Sequence, residues 1–214
     1  MKKFLFAIFF LIPFYSFSQN PGDLFNAGKS IAQSSSRDKI SKRWFSNIEV
    51  EFGVNNEVRY SYSEYDSHDN LLGGKSADLE NKVSYGILYN INYPVFNKFT
   101  LGAVGGFQHQ AQQSISALKL GGILRYHFVN YESVNINLMT AYNVALSDNI
   151  GSEMANVRLG LQFPVARTDD FNINLNGFWD FNDYVFKESV LKEPGERPGG
   201  MLFRSYGVSL GIQF

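Results

Sequence analysis

Tyr206-Gly207-Val208-Ser209-Leu210-Gly211-Ile212-Gln213-Phe214 is the stretch whose reading decides the fold. Tyr206, Val208, Leu210, Ile212 and Phe214 alternate with glycine, serine and glutamine. That repeat of two fits a strand with one apolar face. Seven segments upstream carry the same rhythm, at about residues 44–55, 82–93, 99–108, 117–128, 134–146, 156–163 and 171–181. The segment at 134–146 is the cleanest: Val134, Ile136, Leu138, Tyr142, Val144 and Leu146 oppose Asn135, Asn137, Ala141 and Asn143. With the last strand at 202–214, the pattern predicts eight strands.

The links between these strands alternate in length. Those at residues 94–98, 129–133 and 164–170 are short. Those following the first, third, fifth and seventh strands are longer and more polar, the longest being 56–81 and 182–201. An even strand count, short turns on one side and long loops on the other describe a barrel that crosses a membrane. Aromatic residues also collect at strand ends. Trp44, Tyr93, Phe99, Tyr126, Phe128, Phe163, Phe171 and Phe214 fall near the short-turn rim, and Phe107, Tyr142, Trp179, Phe181 and Tyr206 near the other. Two such girdles bracket the apolar band of a spanning barrel.

The front end supports export. Met1-Lys2-Lys3 carries positive charge, residues 4–15 are almost all apolar, and Ser16-Phe17-Ser18 offers small residues at a cleavage site. This is the organisation of a secretory signal, expected to span residues 1–18. Its apolar run is too short for a spanning helix. Residues 19–43 form a periplasmic leader, in which Leu24, Ala27, Gly28 and Ile31 are spaced for a short amphipathic helix. The barrel then occupies 44–214, in the outer membrane of a Gram-negative cell. The chain has no cysteine, which excludes disulfides, cysteine metal sites and a lipid-modified N-terminus. A net charge of −1 provides no field to recruit nucleic acid.

Alternation does not say which face is out, and a soluble barrel could turn the apolar face inward around a ligand. The opposite face is rich in Asn, Gly, Ser and Gln with little Lys or Glu, unlike a solvated surface. Eight strands leave a lumen just wide enough for side chains. The small polar face fits that lumen and the bulky aromatic face does not.

Architecture and the closing strand, Tyr206, Val208, Leu210, Ile212 and Phe214, resemble the small eight-stranded outer-membrane β-barrel proteins of the OmpX/OmpW-like group over residues 44–214. The resemblance implies an all-β antiparallel transmembrane barrel. It also implies that the closing strand is read by the barrel-assembly machinery during insertion into outer-membrane lipid. It does not supply an activity.

Inside the barrel, Glu49 and Glu51 are expected at the height of Arg125 and Arg158. With Lys119 on the same face, they predict an interior polar network, since buried charges need partners. Loop residues Glu64, Asp66, His68 and Asp69 are of types that suit a hard cation, but their spacing matches no calcium loop. Ser67, His68 and Asp69 in one loop and His109 and Ser114 in another are the candidates for acyl chemistry on membrane lipid. Adjacent residues do not make a triad, because a base must reach its nucleophile in space. No catalytic residue, metal or cofactor is therefore assigned. The expected role is an integral envelope protein presenting its loops to an extracellular or periplasmic partner. The alternatives are a narrow passive path for small apolar solutes, as in OmpW-like proteins, and a lipid-modifying acyl enzyme.

Overall fold

The computed structural model describes residues 43–129 and 132–214. Nine strands account for most of them: β1 (Phe45–Tyr65), β2 (Leu71–Asp78), β3 (Val83–Phe96), β4 (Phe99–Gln110), β5 (Ile115–His127), β6 (Asn135–Ala145), β7 (Ile150–Arg167), β8 (Asn172–Phe186) and β9 (Glu196–Gln213). Each of β3 to β8 pairs antiparallel with the next, and β1 pairs with both β3 and β9. The result is a closed ring of eight strands. Closure leaves the wall without a free sheet edge, a requirement for strands surrounded by hydrocarbon. The described chain ends meet in this seam, where Ser46 and Phe214 exchange two backbone hydrogen bonds of 2.8 and 2.9 Å. The expected signal at 1–18 and nearly all of the leader at 19–43 lie outside the described residues.

Alternation sets the two faces of the wall. Ile48, Val50 and Phe52 of β1, Ile87 of β3, Leu120 and Leu124 of β5, Leu138 of β6, Leu159 and Leu161 of β7 and Leu210 of β9 all stand exposed on the outside. A belt of this kind is stable only against acyl chains. Aromatic contacts edge it at both ends. Trp44 lies 5.0 Å from Tyr93 and Phe99 5.1 Å from Tyr126 at the short-turn end, and Trp179 lies 4.4 Å from Phe181 at the other.

The ninth strand lies in what the sequence reading treats as a long polar loop. Residues 56–81 are instead the outer half of β1, a turn, and β2, which pairs with β1 from Arg59↔Asp78 to Tyr65↔Leu71. β9 runs along the other edge of this extension, from Glu57↔Arg204 to Glu64↔Glu196. Three wall strands thus continue beyond the belt and, joined by β2, form a sheet in the order β2–β1–β9–β8. The physical cause is a bulge in β1. Between Asn55 and Glu57 the register slips by one residue, so even-numbered positions that faced lipid at Val50, Phe52 and Val54 face inward at Val58, Tyr60 and Tyr62. Apart from Asn56, the apolar stripe keeps its even numbering in sequence while the face it occupies reverses.

Candidate functional site

The lumen is the most chemically loaded part of the molecule, and it is built in three layers. Nearest the short turns, Glu49 is the acceptor. Asn47 and Asn90 donate to its Oε1 at 2.7 and 3.2 Å, and Ser209 donates to Oε2 at 2.8 Å. Arg125 lies 3.7 Å from the same carboxylate and bonds Asn90 and Asn92. His127 and Thr100 join at 2.9 Å beside it.

The middle layer centres on Asp180. Arg158 donates Nη2 to Asp180 Oδ2 at 3.0 Å and Nη1 to Glu51 Oε2 at 2.6 Å, bridging the two acids. Lys119 Nζ lies 3.5 Å from Asp180, and Gln108, Asn156 and Asn182 donate to it at 3.3, 2.6 and 3.0 Å. The Arg158 guanidinium also sits 3.9 Å over the Phe178 ring. Room for that ring comes from Gly207, where a Cβ would meet Phe178 at 2.3 Å. Arg158 and Arg125 are 2% exposed, and Lys119 and Asp180 0%. Three acids (Glu49, Glu51, Asp180) face three bases (Lys119, Arg125, Arg158), so the buried charge cancels. Burial of such groups is tolerable only with this degree of pairing.

Above these layers the lumen turns apolar. Val58, Tyr60, Ile115, Ile150, Tyr184, Phe186, Met201 and Phe203 form one buried cluster, with Val190 and Leu191 of the β8–β9 connection packed on it. Glu196 holds that connection in place. Its carboxylate accepts from Tyr60 Oη at 2.8 Å, from the backbone N–H of Val190, Leu191 and Glu193 at 2.9, 3.3 and 3.1 Å, and from Ser189 Oγ. Burial raises the Glu196 pKa, but the hydrogen bonds led by Ser189 and Tyr60 outweigh it and bring the group down to about 2. Burial, and then the bond to Glu196, raise the Tyr60 phenol.

Of the residues singled out in the sequence, Glu49 lies against Arg125, and Glu51 against Arg158. Lys119 contacts neither glutamate by ion pair and goes to Asp180. Asp180 is the hub that the sequence reading leaves out of the network. Its position on the polar face of β8, between Asn176 and Asn182, is the signal that could have placed it there. An apolar quartet on one side of the lumen, Leu88, Val104, Ile123 and Met139, was also not expected.

The loop candidates are spoken for locally. Asp66 accepts from the backbone of His68 and Asn70, both at 2.8 Å, and from the Asn70 side chain. Asp69 pairs with Arg197 at 2.8 Å, and Glu64 with Lys75 at 2.5 Å. Ser67 lies 3.3 Å from His68 Nδ1. His109 Nδ1 meets Ser116 at 2.9 Å, rather than Ser114. Among the described residues no group of three or more acids and histidines is arranged to hold a metal. A shallow cleft of about 200 Å³ opens where β6 and β7 part beyond Tyr142↔Ala155, lined by Tyr142, Val144, Ala145, Ile150, Gly151 and Lys187.

No family model matches the chain, and no curated protein matches it. Among solved structures it is similar to the outer membrane protein AlkL in lipid bilayers, at 10% identity and a TM-score of 0.45, over 84% of this chain and 93% of that one. It is also similar to the outer membrane protein OprG from Pseudomonas aeruginosa, at 11% identity and a TM-score of 0.43, over 81% and 97%. Ring closure, an apolar outside and a filled polar inside carry the assignment: the chain is an eight-stranded antiparallel barrel that spans a membrane, the architecture of the small outer-membrane barrel proteins.

Proposed function

We propose that this protein is a sealed, non-enzymatic barrel of the outer membrane that serves as a rigid stalk for its extramembrane sheet. The carrying observation is the filled lumen. A side-chain layer around Asp180 and Arg158 stands under an apolar cap closed by the Glu196-held connection. Paired charges in such a place stabilise one packed arrangement and leave little for a permeating ion to replace. The closing strand Tyr206, Val208, Leu210, Ile212 and Phe214 is read as the element that engages the barrel-assembly machinery, with outer-membrane lipid as the surrounding partner.

Purified protein folded into phospholipid vesicles should leave their permeability to small ions and sugars at the protein-free baseline. Stepwise conductance in planar bilayers would overturn the reading. The cleft between β6 and β7 favours a second reading, a side path for small apolar solutes through the wall. That reading predicts protein-dependent transfer of a fluorescent apolar solute in the same sealed vesicles, lost on Ala145→Trp.

A further inference from the structure

We propose that the free edge of β2 is a docking site for an extended polypeptide segment of a partner outside the cell, which adds to the extramembrane sheet as a further strand. The proposal deepens the stalk reading and rests on it. β2 terminates the sheet order, and among the described residues nothing pairs with its second edge. A strand edge presents backbone donors and acceptors at the repeat of another extended chain, so its natural ligand is polypeptide backbone.

Several features distinguish this edge from one that is merely left over. Leu71 and Leu72 are each 61% exposed at its end, well beyond the belt that accounts for the main run of exposed aliphatic residues. The register slips opposite Leu72, so the regular edge runs from Gly73 to Asp78. Gly73 and Gly74 have nothing within 4 Å of where a Cβ would stand, so both faces of the sheet are uncovered at this end of the edge. Within the regular run from Gly73 to Asp78 the edge has few of the usual guards. It carries no proline. Its one lysine, Lys75, is drawn to Glu64 at 2.5 Å, and Asp78 is drawn to Arg59 at 3.3 Å. With both charges answered within the sheet, the segment that fits best is uncharged, with an apolar residue to meet Leu71 and Leu72.

A second copy fits poorly. Antiparallel pairing of two β2 edges needs a two-fold axis across the strands, whereas two copies upright in one membrane are related by an axis along its normal.

The test uses the full processed chain folded in nanodiscs, with folding checked by heat-dependent gel mobility. The probe is a labelled six-residue peptide of alternating valine and threonine, capped at both ends. Binding should be saturable by fluorescence anisotropy and should slow hydrogen exchange at residues 73–78. Methylating alternate backbone nitrogens of the peptide should weaken binding at least tenfold in one of the two phases. The double variant Leu71→Ser, Leu72→Ser should weaken it severalfold while the barrel stays folded and sealed. Equal binding of plain and methylated peptides, absence of binding, or a crosslinked dimer formed through Ser76→Cys would each overturn the proposal. A folded, sealed barrel that ignores the peptide would leave the stalk reading standing, whereas a leaky one would remove its basis.

Discussion

Within the membrane, β1, β8 and β9 carry apolar residues outside and polar ones inside, and a few residues further along the same strands do the reverse. Phe52, Trp179 and Val208 face lipid, while Tyr60, Tyr184 and Phe203 face one another in a water-excluding core. Hydrogen bonding in the wall is continuous across the change, as the β8–β9 ladder runs unbroken from Asn172↔Gln213 to Val185↔Gly200. The backbone is therefore indifferent to which face is greasy. The surroundings decide: acyl chains reward apolar side chains outside, and water rewards them inside.

The sharpest way to break this comparison is to remove a charge from the half where charge is buried. Arg158→Ala leaves Glu51 and Asp180 together without their bridging cation, and should cost about 3–5 kcal/mol in denaturant unfolding from lipid vesicles. Arg204, a half-exposed arginine on the outer side, pairs with Glu57 at 2.7 Å. Its change to Ala should cost less than about 1 kcal/mol. Equal effects would mean that the lumen is wetter than the geometry implies.

The apolar half can be tested by cavity formation. Phe203 is fully buried and packs edge-on against Tyr184 at 5.4 Å. Phe203→Ala should cost about 3–5 kcal/mol of cap stability. The loss should appear as faster hydrogen exchange in residues 57–65 and 196–203, with residues 156–163 of the wall unchanged. Uniform acceleration would merge the two regions into one cooperative unit.

Lipid-facing positions come next in size. Leu161→Arg, near the middle of β7, should cost about 2–4 kcal/mol by the depth-dependent penalty for a cation in hydrocarbon. Ser61→Arg, on the outer face of the extramembrane sheet, should be within about 0.5 kcal/mol of neutral. A near-neutral result at Leu161 would argue that the belt does not meet lipid.

How much of this was legible in the sequence depends on how each strand reverses. The wall was readable because period-two alternation and the short turns at 97–98 and 168–171 are local signals. In β8 and β9 the reversal is also written locally: Phe181 and Tyr184, like Phe203 and Tyr206, are three apart, an odd step that moves the apolar residue to the other face. In β1 the apolar residues keep even numbers from Ile48 to Tyr62, so the sequence shows one stripe and only the bulge at residue 56 reverses it. Bulges depend on the neighbouring strand, which a single segment does not display. The same blindness hid β2, whose Gly73-Gly74 reads as turn. The network was half legible for a similar reason. Glu49, Glu51, Arg125 and Arg158 stand on the polar face by alternation, but the convergence of Lys119, Asn156 and Asp180 depends on stagger around the ring.

The smallest predicted effect lies where the two regions are tied together, at Glu196. Its pKa is depressed from 4.5 to about 2, so the bonds that pin the β8–β9 connection contribute in full above pH 4.5. Their contribution falls as pH drops through the folded value near 2. Hydrogen exchange at the backbone N–H of Val190, Leu191 and Glu193 should therefore deviate from its intrinsic pH dependence between pH 4 and 2, with protection lost as Glu196 takes a proton. Glu196→Gln should weaken protection at neutral pH and flatten this dependence. Tyr60→Phe, which removes one of several donors, should cost only about 1 kcal/mol and, because that bond helps to depress the Glu196 pKa, should move the loss of protection to higher pH. If Glu196→Gln keeps wild-type protection at neutral pH, apolar packing of Val190 and Leu191 alone holds the connection down, and the cap needs no carboxylate to stay closed.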